Sequence, residues 1–173
     1  MHIRRITLSD KLPYQQLLHR AYAPVVKLGI YFAAADANLA LIEQHIQTNL
    51  VYGVFAQDNP ICTISLRLPW GNNPGPYGVP HIGWFATDPD FAHQGLAKKL
   101  LTWLEQHILL AQFNLPFVTL GTAENHPWLN RFYQKNGFTE ISRVNLTADH
   151  TTIYYRKILD PALFQLWQFT HSS

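Results

Sequence analysis

The sequence is poor in cysteine, in charged side chains and in long apolar runs. Its one cysteine, Cys62, cannot form a disulfide within the chain, which is typical of proteins in a reducing compartment. Charged residues make up 14%, against roughly 25% in typical globular domains, and a net charge of +2 does not indicate nucleic acid as a partner. No stretch reaches the roughly 18 apolar residues of a membrane span, and no signal-peptide pattern follows Met1. We therefore expect a cytoplasmic protein that binds neither nucleic acid nor membranes.

Several catalytic and binding motifs are also missing. The chain has nine histidines but no His-Glu-x-x-His, and a single cysteine excludes Cys-x-x-Cys, so we expect no bound metal. No Gly-x-Ser-x-Gly elbow is present, which disfavours a serine hydrolase. The three-glycine dinucleotide fingerprint and the P-loop are absent as well. A length of 173 residues with 47% hydrophobic side chains predicts one domain over residues 1–173, with an acceptor-side half at about 1–80 and a cofactor-binding core at about 81–158.

The most informative segment present runs from Asp88 to Lys99 and reads DPDFAHQGLAKK. A strand-like run, His81–Thr87, precedes it, and a helical run, Gln94–Gln112, follows. The start of a helix exposes unpaired N–H groups and the positive end of the peptide dipoles. Small residues there, Gly95 and Ala97, let a phosphate approach the main chain. The segment predicts a pyrophosphate cradle, although the same small residues also suit close packing of a helix on a strand.

A second segment, Glu124–Phe138, reads ENHPWLNRFYQKNGF and follows the strand-like run Pro116–Thr122. Asn125 is a suitable N-cap for a helix over His126–Asn136. Gly137 suits the left-handed residue that ends such a helix. The order strand, turn, helix thus occurs twice.

Together the two segments resemble the GNAT superfamily of acetyl-CoA-dependent N-acetyltransferases. Residues 89–97 are similar to its pyrophosphate-binding turn, Arg/Gln-x-x-Gly-x-Gly/Ala, and Phe132–Phe138 is similar to its Phe-Tyr-x-Lys-x-Gly-Phe signature. Ala92 stands where the family usually has Arg or Gln, and His93 where Gly is common. The resemblance covers about residues 52–158. It implies a single α/β domain, in which helices flank a mixed, mostly antiparallel sheet with splayed parallel central strands, and acetyl-CoA as cosubstrate.

The resemblance also implies the residues that hold the cofactor. Main-chain N–H groups of the turn would bind the pyrophosphate, and the strand before the turn would pair with the pantetheine arm. The predicted cofactor-binding residues are Phe85, Ala86, Thr87, Ala92, His93, Gln94, Gly95, Leu96, Ala97, Lys98, Asn125 and Tyr133. Asn125 could instead be a plain N-cap, and Lys98 an exposed lysine on a helix.

Two side chains are predicted to be catalytic. Tyr133 matches the family tyrosine near the coenzyme sulfur, and a phenol with a pKa near 10 can protonate a departing thiolate. A packing role for Tyr133 is the alternative. His81, on the central strand where relatives often carry Glu, is the predicted general base; Glu124, His126 or a chain of waters are alternatives.

The sequence says least about the acceptor that receives the acetyl group. Two segments that would build its pocket, Ala23–Ala35 and Pro69–Pro80, carry or adjoin several aromatic residues and few carboxylates. The aromatic residues are Tyr22, Tyr31, Phe32, Trp70 and Tyr77. They predict a small-molecule or peptide amine with an apolar or aromatic portion, unless they belong to the core or to a homodimer interface. A non-catalytic acyl-CoA-binding or regulatory domain, suggested by Ala92, is the alternative function.

The rest of the sequence predicts the following strands and helices. Strands are expected over His2–Thr7, Leu50–Ala56, Ile61–Leu68, Phe138–Leu146 and Thr151–Ile158, in addition to the two strand-like runs above. Further helices are expected from Ser9 or Asp10 to about Tyr22, from a cap at Asp36, and over Pro161–Phe169.

Overall fold

The computed structural model describes residues 1–145 and 150–172. One sheet contains seven strands in the order β1-β2-β3-β4-β5-β7-β6. The strands are β1 (His2–Arg5), β2 (Leu50–Ala56), β3 (Asn59–Arg67), β4 (His81–Thr87), β5 (Phe117–Ala123), β6 (Thr139–Val144) and β7 (Thr152–Ile158). Among the strands of the described residues, β4 and β5 pair in parallel and all other neighbours are antiparallel. The predicted mixed, mostly antiparallel sheet is confirmed.

Five helices flank this sheet. They are α1 (Lys11–Val26), α2 (Leu39–Thr48), α3 (Leu96–Trp103), α4 (Leu129–Lys135) and α5 (Pro161–His171). Alternate strand residues enter opposite cores, as the pleat of a strand requires. In β2, Val51 and Phe55 join a core with α1 and α2, whereas Tyr52 and Val54 join a core with α3. The sheet therefore has an α1/α2 face and an α3 face. No helix in the described residues is long and apolar enough to span a membrane.

Two helix boundaries near the N-terminus differ from prediction. Helix α1 continues through Pro24 to Val26 instead of ending near Tyr22. Pro24 removes one main-chain hydrogen bond of the helix, and burial of Val25 favours the extra turn. Helix α2 is capped by Asn38, whose Oδ1 accepts a hydrogen bond from the Leu41 N–H at 2.9 Å. The predicted cap, Asp36, is wrong, because that residue ends a 3₁₀ turn over Ala33–Asp36.

The long helix after the turn also differs from prediction. It begins at Leu96 because Gly95 has a left-handed φ of +72°. From Leu104 to Leu110 it continues as a π-helix. The strands agree better with prediction, although β3 begins at Asn59 and only Gln57 and Asp58 form the hairpin turn. Residue 146, the predicted end of the β6 strand, lies outside the described residues.

The central strands diverge soon after they meet. Parallel pairing between β4 and β5 is confined to His81 with Thr119 and Ile82 with Leu120. Beyond that point Trp84 has a φ of +45°, and the register between β3 and β4 shifts, so β4 carries a bulge. The splayed parallel pair that the resemblance implied is present, and its opening positions the site.

Candidate active site

A cleft of about 540 Å³ opens where β4 and β5 diverge. Its walls come from the end of β4, the turn before α3, the first turn of α3, the last turns of α1 and the start of α4. They include Phe85, Ala86, Thr87, Ala92, His93, Gln94, Gly95, Leu96, Ala97 and Lys98. Every predicted cofactor-binding residue apart from Asn125 and Tyr133 thus lines one cavity.

The turn between β4 and α3 has an unusual backbone. His93 and Gly95 have left-handed φ values of +64° and +72°, and both are exposed. An added Cβ at Gly95 would meet no other atom within 4 Å, so the cradle at the start of α3 is open. Asp88 holds the turn, since its carboxylate accepts from the Asp90 N–H at 3.0 Å and pairs with Arg20 of α1 at 2.7 Å. Unpaired helix N–H groups, an open cradle and the exposed Lys98 together fit a pyrophosphate.

Tyr133 lies directly behind the wall of this cleft. Its side chain is only 3% exposed, and its ring is 6.4 Å from that of Phe85 and 5.6 Å from that of Phe132, both of which line the cleft. Burial, with a smaller contribution from Tyr155, raises the pKa of the Tyr133 phenol, and no hydrogen bond to a described residue offsets the rise. The hydroxyl therefore stays protonated and able to donate.

A second phenol approaches the same place from α1. Tyr22 lines the cleft, and burial and the nearby Tyr133 raise the pKa of its hydroxyl. Phe32 packs edge-on against Tyr22 with ring centroids 5.6 Å apart. The sequence placed Tyr22 among acceptor-side aromatics, but the structure puts it on a wall shared with the predicted cofactor residues.

His81, the predicted general base, is not brought to this cleft. It lies at the start of β4, is 2% exposed, and its Nδ1 is 2.8 Å from Thr119 Oγ1. Burial, and to a lesser extent the charge of Arg67, lower the pKa of His81 to about 3. Gly75 of the β3–β4 loop packs so closely on His81 that an added Cβ would lie 2.4 Å from the histidine Cβ. His81 is therefore a neutral, tightly packed side chain.

Asn125 is exposed and does not cap α4, so that prediction is wrong. The helix begins only at Leu129, because Pro127 disfavours a helical conformation at the preceding residue. His126 takes over the role of the cap: its Nδ1 accepts hydrogen bonds from the N–H groups of Trp128 at 3.4 Å and Leu129 at 3.2 Å. Burial lowers the pKa of His126 to about 4, which keeps the ring neutral and the acceptor available.

His126 also lines the cleft, where the sequence had treated it only as an alternative base. The other alternative, Glu124, is exposed and paired with Arg143 at 2.6 Å. Asn130 stabilises this loop by donating from Nδ2 to the carbonyls of Ala123 at 3.0 Å and Glu124 at 3.1 Å. Asn130 is the second residue of α4, and an asparagine there gives no local sequence signal for that role.

The remaining predicted acceptor aromatics do not form one cluster. Tyr31 and Trp70 are exposed, at 49% and 72%. Tyr77 packs edge-on against Tyr154 of β7 with centroids 5.7 Å apart. Within residues 1–145 and 150–172, no group of three or more His, Cys, Asp or Glu side chains is placed to hold a metal ion.

Comparison with known proteins agrees with this geometry. The model of the acetyltransferase (GNAT) family matches residues 16–138. An S-(2-succino)cysteine N-acetyltransferase of Bacillus subtilis (strain 168) is 47% identical over 158 residues, which cover 90% of this chain and 96% of that protein. An S-alkylcysteine N-acetyltransferase of the same strain is 32% identical over 162 residues, covering 93% and 90%.

A solved structure shows the same fold. The PaiA N-acetyltransferase from Thermoplasma acidophilum in complex with coenzyme A has a TM-score of 0.67 at 17% identity, over 91% of this chain and 98% of that one. The enzymatic function and the use of acetyl-CoA implied by the resemblance are confirmed by the family match and the two Bacillus relatives. The chain belongs to the GNAT family of acetyl-CoA-dependent N-acetyltransferases.

Proposed function

We propose that the acceptor of this N-acetyltransferase is the α-amino group of an S-substituted cysteine. The observation that carries the proposal is the 47% identity, over 90% of this chain, to an enzyme named for S-(2-succino)cysteine. The second relative, named for S-alkylcysteines, supports the same acceptor class with a different sulfur substituent. This acceptor is narrower than the small-molecule or peptide amine predicted from the sequence.

The cofactor is proposed to lie in the cleft with its pyrophosphate at the start of α3. Bound acetyl-CoA supplies the acetyl group as a thioester, whose C–S bond is exchanged for the C–N bond of an amide. Main-chain N–H groups of residues 94–98 bind the diphosphate, and the main chain of Phe85–Thr87 orients the pantetheine arm. The open Gly95 cradle supports this placement.

Tyr133 is proposed to protonate the departing thiolate. Its hydroxyl stays protonated because burial raises the pKa of the phenol, and hydrogen bonds to described residues do not occupy it. Tyr14 shows the contrast: it is also buried, but its hydroxyl is 3.5 Å from Ser65 Oγ. A buried phenol without such a partner is suited to donate to a sulfur that becomes negative only during the reaction.

The base that neutralises the amine stays a prediction. A residue with a pKa near 7 would suit the task, whereas burial and Arg67 lower the pKa of His81 to about 3. Together with the absence of His81 from the cleft walls, this favours the water chain over the histidine. An unchanged pH profile of kcat/KM in His81→Gln is the expected result.

A thiol-release assay with acetyl-CoA tests the proposed acceptor. We expect the highest kcat/KM with S-(2-succino)cysteine and S-methylcysteine, and mass spectrometry should show one added acetyl group on each product. The N-acetylated form of each acceptor, which has no free amine, is the control. A higher kcat/KM for an aminoglycoside or a peptide would contradict the proposal, and acetyl-CoA binding without turnover of any amine would favour the regulatory alternative.

A further inference from the structure

Two glycines of the central strands lie on the α1/α2 face of the sheet: Gly83 has mostly open space above it, and the ring of Tyr154 covers Gly121. His81 pairs with Thr119, so alternation places Gly83 of β4 and Gly121 of β5 on the same face as these two side chains. Both glycines are partly exposed although they lie in the two central strands. We call Gly83 and Gly121 the glycine floor. It begins where β4 and β5 diverge, beside the cleft that fits the cofactor.

Arg67 lies across one edge of the glycine floor. It pairs with His81 in the β3–β4 register, and its Cδ is the one atom within 4 Å of an added Cβ at Gly83, at 3.7 Å. The guanidinium is held by the β3–β4 loop, because Nε donates to the Asn73 carbonyl at 2.8 Å and Nη2 to the Pro74 carbonyl at 3.0 Å. Nη1 makes no hydrogen bond to a described residue. The side chain is therefore fixed in place and keeps free donors.

The positive charge of Arg67 has no carboxylate partner within 4 Å among the described residues, whereas Arg4 and Arg20 each have one and Arg143 has two. Partial burial lowers the pKa of Arg67, so the cation is held where water solvates it incompletely. An incompletely solvated cation without a counter-ion is unfavourable unless a ligand provides the negative charge.

The side chains around the guanidinium are neutral. Burial lowers the pKa values of His45 and His81 to about 3, with Arg67 contributing to both shifts. Tyr154 stands on the other side of the floor, with its ring against Gly121, and burial raises the pKa of its phenol. Arg67 is thus the one charged group facing this part of the floor among these neighbours.

We propose that Arg67 binds a carboxylate of the acceptor and selects amino acids over simple amines. This inference rests on the proposed S-substituted cysteine acceptor. A planar guanidinium with free N–H groups can bind a carboxylate through two parallel hydrogen bonds, and the loop carbonyls hold it ready for that contact. Phe85, which lines the cleft, follows Gly83 by two residues, so β4 carries both the floor beside Arg67 and the wall of the cleft.

Steady-state kinetics of Arg67→Gln and Arg67→Lys test the inference. The acceptors are S-(2-succino)cysteine, S-methylcysteine, the α-carboxamide of S-methylcysteine and its decarboxylated amine. Loss of a charge-assisted contact is expected to raise KM for the carboxylate acceptors by about 10- to 100-fold in Arg67→Gln, with a smaller rise in Arg67→Lys. KM for the carboxamide, the amine and acetyl-CoA should stay near the wild-type value. Arg5→Gln, on the exposed end of β1, is the matched control.

The four acceptors separate the outcomes. A KM increase for both carboxylate acceptors assigns the α-carboxylate to Arg67. An increase for S-(2-succino)cysteine alone would mean that Arg67 binds a carboxylate of the sulfur substituent, and it would overturn the selection of amino acids over simple amines. Equal losses for the acid and its carboxamide would overturn the inference, because they would mean that Arg67 only anchors the β3–β4 loop. Failure of the wild-type enzyme to acetylate any S-substituted cysteine would instead contradict the proposed function. Arg67 would then be tested on the best carboxylate-bearing amine and its amide.

Discussion

The two sides of the β4–β5 divergence are built in different ways. The side proposed to hold the cofactor is lined mainly by one stretch of chain, residues 85–98, next to the start of a helix, and α1 and α4 complete its walls. The glycine-floor side consists of side chains from distant strands, including Arg67, His81 and Tyr154. A site made by the backbone of one turn leaves a local pattern in the sequence, whereas a site made by side chains across a sheet does not. The comparison also predicts that each side responds to different substitutions.

The largest expected effect comes from the phenol beside the cleft. Tyr133→Phe should lower kcat by about 100-fold, the scale of a lost general acid, and leave the Kd of acetyl-CoA unchanged. Tyr14→Phe is the matched control on the other side, since it removes a buried hydroxyl that is 3.5 Å from Ser65 Oγ. It should cost about 1 kcal/mol of unfolding free energy and leave kcat unchanged. Full turnover in Tyr133→Phe would remove the proposed role.

A smaller effect is expected in the turn itself. Gly95 has a φ of +72°, a conformation that costs an L-residue roughly 1–2 kcal/mol. In Gly95→Ala this strain should shift the turn and weaken acetyl-CoA binding about 10-fold, as measured by calorimetry. Gly78→Ala is the matched control, because Gly78 has a φ of +69° and equally open surroundings but does not line the cleft. If both variants weakened binding equally, the main-chain cradle would not be the cause.

The smallest expected effect is a pH dependence of the unfolding free energy, caused by His45 on the glycine-floor side. Burial lowers the pKa of His45 to about 3, against about 6.5 in an unfolded chain, and its ring stacks on Trp84 at 3.7 Å. Between these values the unfolded chain binds a proton that the native ring does not, so the unfolding free energy falls as the pH falls below about 6.5. One such histidine contributes about 1.4 kcal/mol per pH unit, or about 2 kcal/mol between pH 6.5 and 5.

Denaturant titrations of His45→Gln at pH 7, 6 and 5 measure that contribution. The variant should lose stability less steeply than the wild type as the pH falls, whatever its stability at pH 7. Identical slopes for the two proteins would mean that His45 is protonated in the native state at pH 5 and would contradict the burial argument. The Kd of acetyl-CoA should not follow this change, because His45 does not line the cleft.

The sequence was sufficient to predict the strands of the sheet and the turn between β4 and α3. β4 was predicted residue for residue, and Gly95 and Ala97 marked the start of α3 because helix starts have local chemical requirements. The predicted cap at Asn125 failed because Pro127 delays α4 and a histidine replaces the usual cap, which residue preferences do not suggest. Local preferences therefore located the element but not its first residue.

The rest of the site depends on contacts between distant parts of the chain. Tyr22 reaches the cleft because α1 packs beside β4, a contact between segments far apart in the sequence. The sequence did not indicate that Arg67 belongs to a site, because a single arginine at the end of a strand is common. Its proposed role is inferred from the two loop carbonyls that hold the guanidinium and from the fact that no described carboxylate lies within 4 Å of it. Conversely, the position on the central strand that suggested His81 as a base could not reveal that its side chain is buried away from the cleft.

The short pairing between β4 and β5 has a mechanical consequence. Two pairs of residues join a four-stranded part of the sheet, β1 to β4, to a three-stranded part, β5 to β7. We call these two parts the plates and the line between β4 and β5 the seam. This seam is the most sparsely paired line through the described sheet, and it borders the cleft proposed as the active site. Small motions that part the plates widen the opening while each plate keeps its own hydrogen bonds. A substrate that touches both plates closes the seam, so its binding free energy also holds the two parts of the molecule together.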